Sequence, residues 1–200
     1  MFGDPVSNPK HWPIIKFLQV GQLDRGVSKY RPRNAPELLN GPYPLVQTGD
    51  VANSDGYIRG YKSTYSEIGL KQSRMWPIGT LCITIAANIA KTGILTFDAC
   101  FPDSVVGFTP NQLSEAEYVR TWLSFLQKML EETAPESAQK NINLEILRNL
   151  DIPLPPLPLQ QAFARRIEAI ETLKASHRAS LAQLDPLFAS LQHRAFRGEL

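Results

Sequence analysis

The run Asp151-Ile152-Pro153-Leu154-Pro155-Pro156-Leu157-Pro158 constrains this chain more than any other feature. Four prolines within six residues cannot continue a helix or enter a central strand, so the segment reads as an extended, stiff connector and a domain boundary. Beyond it the pattern is helical. Phe163, Ile167, Ile170, Lys174, His177, Leu181, Leu184, Phe188, Leu191 and Ala195 follow one another in alternating steps of four and three. That heptad seam predicts a helix over residues 159–197, a rod of roughly 55 Å at 1.5 Å per residue. Gly198 is its stop signal, and Pro186, after Asp185, predicts a kinked or rejoined rod. A single amphipathic helix of this length cannot bury its own stripe. Phe163, Ile167, Ile170, Leu181, Leu184 and Leu191 are therefore the candidate dimer interface, in a symmetric pair or against another helix.

Residues 1–151 read as one β-rich domain with flanking helices. Residues 14–20 form a short apolar run, and residues 24–36 a polar loop. Residues 44–51, 57–61, 79–87, 93–97 and 105–108 are strand-sized runs bounded by Gly, Asn or Asp. Several short strands joined by polar loops predict a twisted, mostly antiparallel or barrel-like sheet. At Ser114-Glu115-Ala116-Glu117 a capping-box signature opens a helix whose apolar face carries Val119, Trp122, Leu123, Leu126, Met129 and Leu130. A polar stretch over 131–143 leads to a short helix at 144–149. The predicted class is α+β: a β-rich domain over 1–151, a Pro-rich connector over 152–158 and a long coiled-coil helix over 159–200.

Catalytic constellations are missing from this sequence. His11, His177 and His193 have no ligand spacing, and no phosphate-cradling glycine loop, nucleophile elbow or dinucleotide fingerprint occurs. The expectation is a binder with no cofactor, no metal and no enzymatic activity of its own. The cysteines, Cys82 and Cys100, lie in apolar surroundings without metal or redox spacing, which suits a reduced interior. No apolar run approaches the ~20 residues that span a bilayer, and the first ten residues do not read as a signal peptide. A cytoplasmic protein without membrane contact is expected. Net charge is only +2, but its distribution is uneven. Residues 10–91 hold eleven Lys/Arg against five Asp/Glu, and residues 92–150 hold four against eight. Such asymmetry marks a polyanion-facing surface or a solvated face of mixed charge.

Three segments carry a resemblance. Asn149-Leu150-Asp151-Ile152-Pro153-Leu154-Pro155-Pro156-Leu157-Pro158-Leu159-Gln160-Gln161 resembles the approach to the spacer helix in specificity subunits of Type I restriction-modification systems. LFASLQHRAFRGEL, residues 187–200, is similar to the end of that helix. LVQTGDV (45–51) with ITIAANIAKTGI (83–94) is similar to the preceding target-recognition domain. Leu159 departs from the pattern, since many members carry glutamate before the glutamine. The resemblance implies a non-catalytic reader of double-stranded DNA. It would direct a methylase (modification) subunit and a nuclease-translocase (restriction) subunit to a bipartite site. A full subunit has two recognition domains and two antiparallel helices, and this chain has one of each. Its opening residues, 1–9, look like the junction after a first helix, so a natural half-subunit and the second half of a split gene both fit.

Phosphate contacts need Lys and Arg, and base edges are read by Arg, Asn, Gln, Ser or Thr on loops that enter a groove. The candidate DNA-binding residues are Lys29, Tyr30, Arg31 and Arg33 in a first loop, Gln47 and Thr48 in a second, and Arg59, Tyr61 and Lys62 in a third. Arg74, Asn88 and Lys91 complete the set. A protein-interaction adaptor with a dimerising helix and no nucleic acid is the other reading; it keeps the architecture and drops the charge argument.

Overall fold

The computed structural model describes residues 1–86, 90–133 and 142–200. The chain divides into two compact units, Met1–Gln161 and Ala162–Leu200. The first unit begins with β1 (Ile14–Lys16), a 3-10 turn (Phe17–Gln19) and β2 (Gly21–Arg25). A second 3-10 turn (Pro36–Leu38) leads into β3 (Leu39–Leu45), α1 (Thr48–Ala52), β4 (Tyr57–Ile58), β5 (Ser63–Tyr65) and α2 (Glu67–Lys71). Next come β6 (Met75–Trp76), β7 (Leu81–Thr84), β8 (Thr92–Leu95), β9 (Ala99–Cys100) and β10 (Val105–Pro110). The sequence then runs through α3 (Ala116–Thr133), α4 (Leu144–Asn149), β11 (Asp151–Pro153) and α5 (Leu157–Phe196). The α+β class with a long terminal helix is what the sequence predicted.

Among the described residues the strands form three sheets: β2-β10-β7-β8-β4, β5-β3-β9-β6, and the pair β1-β11. Most pairings are antiparallel, but β4 runs parallel to β8 and β3 parallel to β9. β7 is buried along its length, as expected of a strand covered on both faces. The five-stranded sheet carries α3 over β8 and β10. Phe17 sits at the centre of the resulting core, its ring 4.9 Å from Phe108 and 5.2 Å from Trp122. Val119, Leu123 and Leu126 complete the buried face predicted for α3. The side chains of Met129 and Leu130 lie outside the described residues, as does most of the polar stretch after them. A second core, around Trp76 stacked on Phe101 at 4.7 Å, fills the space between the two larger sheets.

Several local expectations are corrected. Residues 44–51, read as a strand, are the end of β3 followed by the short helix α1. The Asp50 carboxylate accepts from the Gln47 N–H at 2.9 Å, and the Asp50 N–H donates to the Gln47 carbonyl at 3.0 Å, which starts the helix. The capping box at Ser114 is not closed. Its N–H donates to the Asn111 carbonyl and its hydroxyl to the Val20 carbonyl at 2.6 Å, while Glu117 is turned inward to the Tyr57 hydroxyl and Arg120.

The proline-rich run is shared among elements. Asp151–Pro153 pairs with β1 as β11, and α5 begins at Leu157. Pro158 falls in the first turn, where its missing N–H leaves no helical bond unmade. Gln160 anchors this start: it is fully buried, and its Oε1 accepts from the Glu115 N–H at 3.0 Å. Its Nε2 donates to the Leu113 and Pro155 carbonyls at 3.1 and 2.8 Å. From Leu157 the helix runs unbroken through Pro186 for 40 residues, about 60 Å.

Candidate nucleic-acid interface

The connection after β2 opens with Gly26, where a Cβ would lie 2.3 Å from the carbonyl oxygens of both Phe101 and Pro102. Only glycine lets the chain pass so close to the β9–β10 turn. Three arginines consequently meet one residue of that turn, Asp103. Arg25 Nε donates to its backbone carbonyl at 3.0 Å. Arg33 Nη2 pairs with its Oδ1 at 2.6 Å, and Arg31 Nη2 reaches Oδ2 at 3.5 Å. Arg31 also donates through Nη1 to the carbonyls of Ser28 and Tyr30, at 2.6 and 2.8 Å, and so staples its own loop. Two guanidinium groups on one carboxylate, with Arg25 on the backbone carbonyl of the same residue, leave the cluster positive.

The neighbouring segment holds the loop from the other side. Gln72 Oε1 accepts from the backbone N–H groups of Lys29 and Tyr30 at 2.7 and 3.1 Å, and the Tyr30 hydroxyl donates to Glu37. Arg74 lies 4.0 Å over the Trp76 ring and pairs with Asp24 at 3.3 Å.

A cleft of about 270 Å³ connects the first two predicted loops, with Ser28, Arg33, Gln47, Thr48 and Ser104 among its lining residues. The Ser28 hydroxyl is buried there without a hydrogen-bond partner among the described residues. The third loop adjoins the second, because Gln47 Nε2 donates to Ser63 Oγ at 3.1 Å, beside Lys62. Tyr61 rests edge-on against Phe97 at 5.3 Å, and Arg59 lies 5.0 Å over Tyr57.

The structure thus brings Lys29, Tyr30, Arg31, Arg33, Gln47, Thr48 and Lys62 into one neighbourhood. Lys91 sits apart: it is half-buried, and its backbone is tied to Thr84 on the β7–β8 connection. Asn88 lies outside the described residues. The candidate contacts omit Asp103 and Gln72, which organise the loop, and Arg25, which is among the counted basic residues and joins the cluster. An acid in a turn of the acidic half and an isolated glutamine carry no sequence signal for this role. The thiols of Cys82 and Cys100 are buried and pushed up by that burial, so neither is poised as a nucleophile. No group of three or more metal-ligating side chains occurs among the described residues, and no described helix is long and apolar enough to cross a membrane.

The family model of the Type I restriction modification DNA specificity domain matches residues 9–185, nearly the whole chain. The chain belongs to this family. Among relatives of the specificity domain, the EcoBI specificity subunit of Escherichia coli is 26% identical over 167 residues, covering 78% of this chain and 35% of its own length. The Escherichia coli EcoDI specificity subunit is 24% identical over 205 residues, covering 97% and 43%. The fold is shared with the HsdS subunit of Thermoanaerobacter tengcongensis, with a TM-score of 0.63 at 20% identity over 96% of this chain and 46% of that one. A chain from a structure on complex assembly and conformational transition of the type I R-M system gives a TM-score of 0.66 at 21% identity, over 96% and 47%. This specificity-domain chain spans less than half the length of these relatives.

Proposed function

We propose that this chain is a DNA reader that carries one recognition domain and one spacer helix of the kind found in Type I specificity subunits. Residues 1–151 read a half-site, residues 152–158 set the orientation of the helix, and residues 159–200 pair with a second helix as a spacer. The observation that carries this reading is the arginine cluster of Arg25, Arg31 and Arg33, set beside a cleft lined by Gln47 and Thr48, in a chain of the DNA specificity family. Arginine forks supply the donors that base edges and phosphates accept, and Gln and Thr supply the neutral groups that discriminate among bases. Lys29, Tyr30, Arg59, Tyr61, Lys62 and Arg74 belong to the same proposed surface, and Asn88 and Lys91 are proposed as separate DNA contacts. Tyr30 and Tyr61, both nearly half exposed, offer apolar area beside the charges.

The chain itself methylates and cuts nothing in this reading. A methylase subunit and a nuclease-translocase subunit supply the chemistry in the cytoplasm. Pairing of two identical helices through Phe163, Ile167, Ile170, Leu181, Leu184 and Leu191 imposes a two-fold axis, and hence a target of two inverted, identical halves around an unspecified spacer. A 60 Å rod bounds that spacing at about 18 base pairs at ~3.4 Å each.

Selection from random duplexes, followed by anisotropy titration across salt, tests the proposal. An inverted two-part consensus with affinity falling steeply as salt rises is the expected result. A single unpaired half-site would reject the symmetric pairing, and no DNA binding at low salt would favour the adaptor reading.

A further inference from the structure

We propose that Asp103 is a specificity-determining positioning residue: it turns Arg33 from a phosphate-binding cation into a base-edge reader. The inference rests on the DNA-reading proposal above and concerns how that surface discriminates. Arg31 and Arg33 differ in what Asp103 leaves them. Arg31 is spent on three acceptors, two of them backbone carbonyls of its own loop. Arg33 makes one short ion pair, through Nη2 to Asp103 Oδ1 at 2.6 Å, and lines the cleft with Gln47 and Thr48.

A guanidinium carries five N–H donors in a rigid plane, so one edge held by a carboxylate leaves the remaining donors oriented for a second partner. The Asp103 carboxylate is about one-third exposed, so its charge is felt by whatever approaches Arg33. A phosphate oxygen brought to the free edge of Arg33 meets that negative charge within a few ångströms. A neutral acceptor pair at the same place, such as O6 and N7 of guanine, carries no net charge for Asp103 to repel. Asp103 thus lowers the affinity of this point for any DNA backbone while keeping the fork fixed for a base. Arg25, held only through the Asp103 backbone carbonyl, takes the phosphate role beside it.

The experiment compares the full chain with D103N on two duplexes, the one recovered by selection and a scrambled version, across a salt series. For D103N the expected result is several-fold tighter binding to the scrambled duplex, with the logarithmic salt slope steeper by about one phosphate contact. Discrimination at one base position should fall about ten-fold or more, and D103E should restore it. A merely structural aspartate would weaken both duplexes in parallel at constant discrimination, and that result overturns the inference. Should D103N fail to melt cooperatively, R33K decides: it keeps the charge and loses the fork, so discrimination should fall at the same position with the salt slope unchanged. Discrimination unchanged in R33K also overturns the inference. If the unmodified chain distinguishes no duplex at any salt, the DNA-reading proposal itself fails, which these variants cannot mimic.

Discussion

The two compact units spend the same apolar residue types in opposite ways. In Met1–Gln161, Phe17, Phe101, Phe108 and Leu123 are completely buried. In Ala162–Leu200, Ile170, Leu173, Leu181, Leu184, Leu187, Phe188 and Leu191 are all at least half exposed. The first unit closes its core by long-range pairing, as where β2 and β7 flank β10. The second is one helix whose hydrogen bonds are local, and whose stripe stays open within the chain. Its period specifies a helix, and in the proposed pairing a second helix covers the open stripe, so stability and association would reside in different units of one molecule.

The sharpest way to break that contrast is a pair of truncations. Phe17→Ala should cost the first unit about 3–5 kcal/mol, because it empties a site bounded by Phe108 and Trp122. Leu191→Ala should leave the unfolding of that unit within about 0.5 kcal/mol, because an exposed side chain leaves no cavity. Urea unfolding followed by tryptophan fluorescence checks both, since Trp12, Trp76 and Trp122 all lie in the first unit. Equal losses from the two variants would mean that the units are not energetically separate.

Leu184→Asp should act in the opposite sense. A carboxylate placed in the seam should raise the dimer dissociation constant about 100-fold, equivalent to about 3 kcal/mol. The tryptophan-detected transition should not move in a monomeric background. Sedimentation at micromolar concentration measures the first effect. A dimer that survives the substitution would show that association uses another surface.

Gln160→Leu probes the start of α5, where a polar side chain is wholly buried. It would orphan the Glu115 N–H and the carbonyls of Leu113 and Pro155. The expected loss is about 1–3 kcal/mol for leaving buried groups unpaired. Faster hydrogen exchange should follow across 154–162 and at the start of α3, with exchange in the remainder of α5 unchanged. Uniform exchange across the whole helix would argue that α5 has no local anchor.

Sequence patterning served the two units unequally, for physical reasons. Local signals were legible: α4 occupies the six residues read for it, α3 follows Ser114, and α5 begins within two residues of the predicted start. What escaped depended on tertiary pairing. β3 contains Gly41, Pro42 and Pro44, and only its last two residues fell within a predicted strand, yet it pairs with β5 and β9; a register shift between Leu39 and Tyr43 takes up Pro42, while Pro44 stays paired with Thr64. β9 is two residues long and has no period to detect. In the candidate site the first and second loops were visible as basic and polar runs. Their convergence was not, because it depends on Asp103 and on the close approach at Gly26, some 77 residues apart along the chain.

The smallest effect expected is a pH dependence confined to one side of the comparison. Burial holds the Cys82 thiol protonated far above its ordinary value of 9.0, and pushes Cys100 in the same direction. Burial likewise raises Tyr118 above 10.0, its hydroxyl donating to the Pro153 carbonyl. For an acid whose value is raised in the folded state, stability is complete below the unfolded value and is lost as pH climbs through it, because the unfolded chain releases protons that the folded chain keeps. Between pH ~9.0 and ~9.5 a fully buried thiol such as Cys82 should therefore cost about 0.4 kcal/mol, and Tyr118 adds to the decline above its ordinary value. Residues 162–200 contain neither cysteine nor tyrosine, so helix pairing should not follow the same curve. Urea midpoints of L184D measured in half-unit steps from pH 8 to 10.5 test this. The decline should begin near pH 9 and shrink in a Cys82→Ala background. A midpoint that stays flat to pH 10.5 would mean that these thiols and Tyr118 are already open to solvent in the folded first unit.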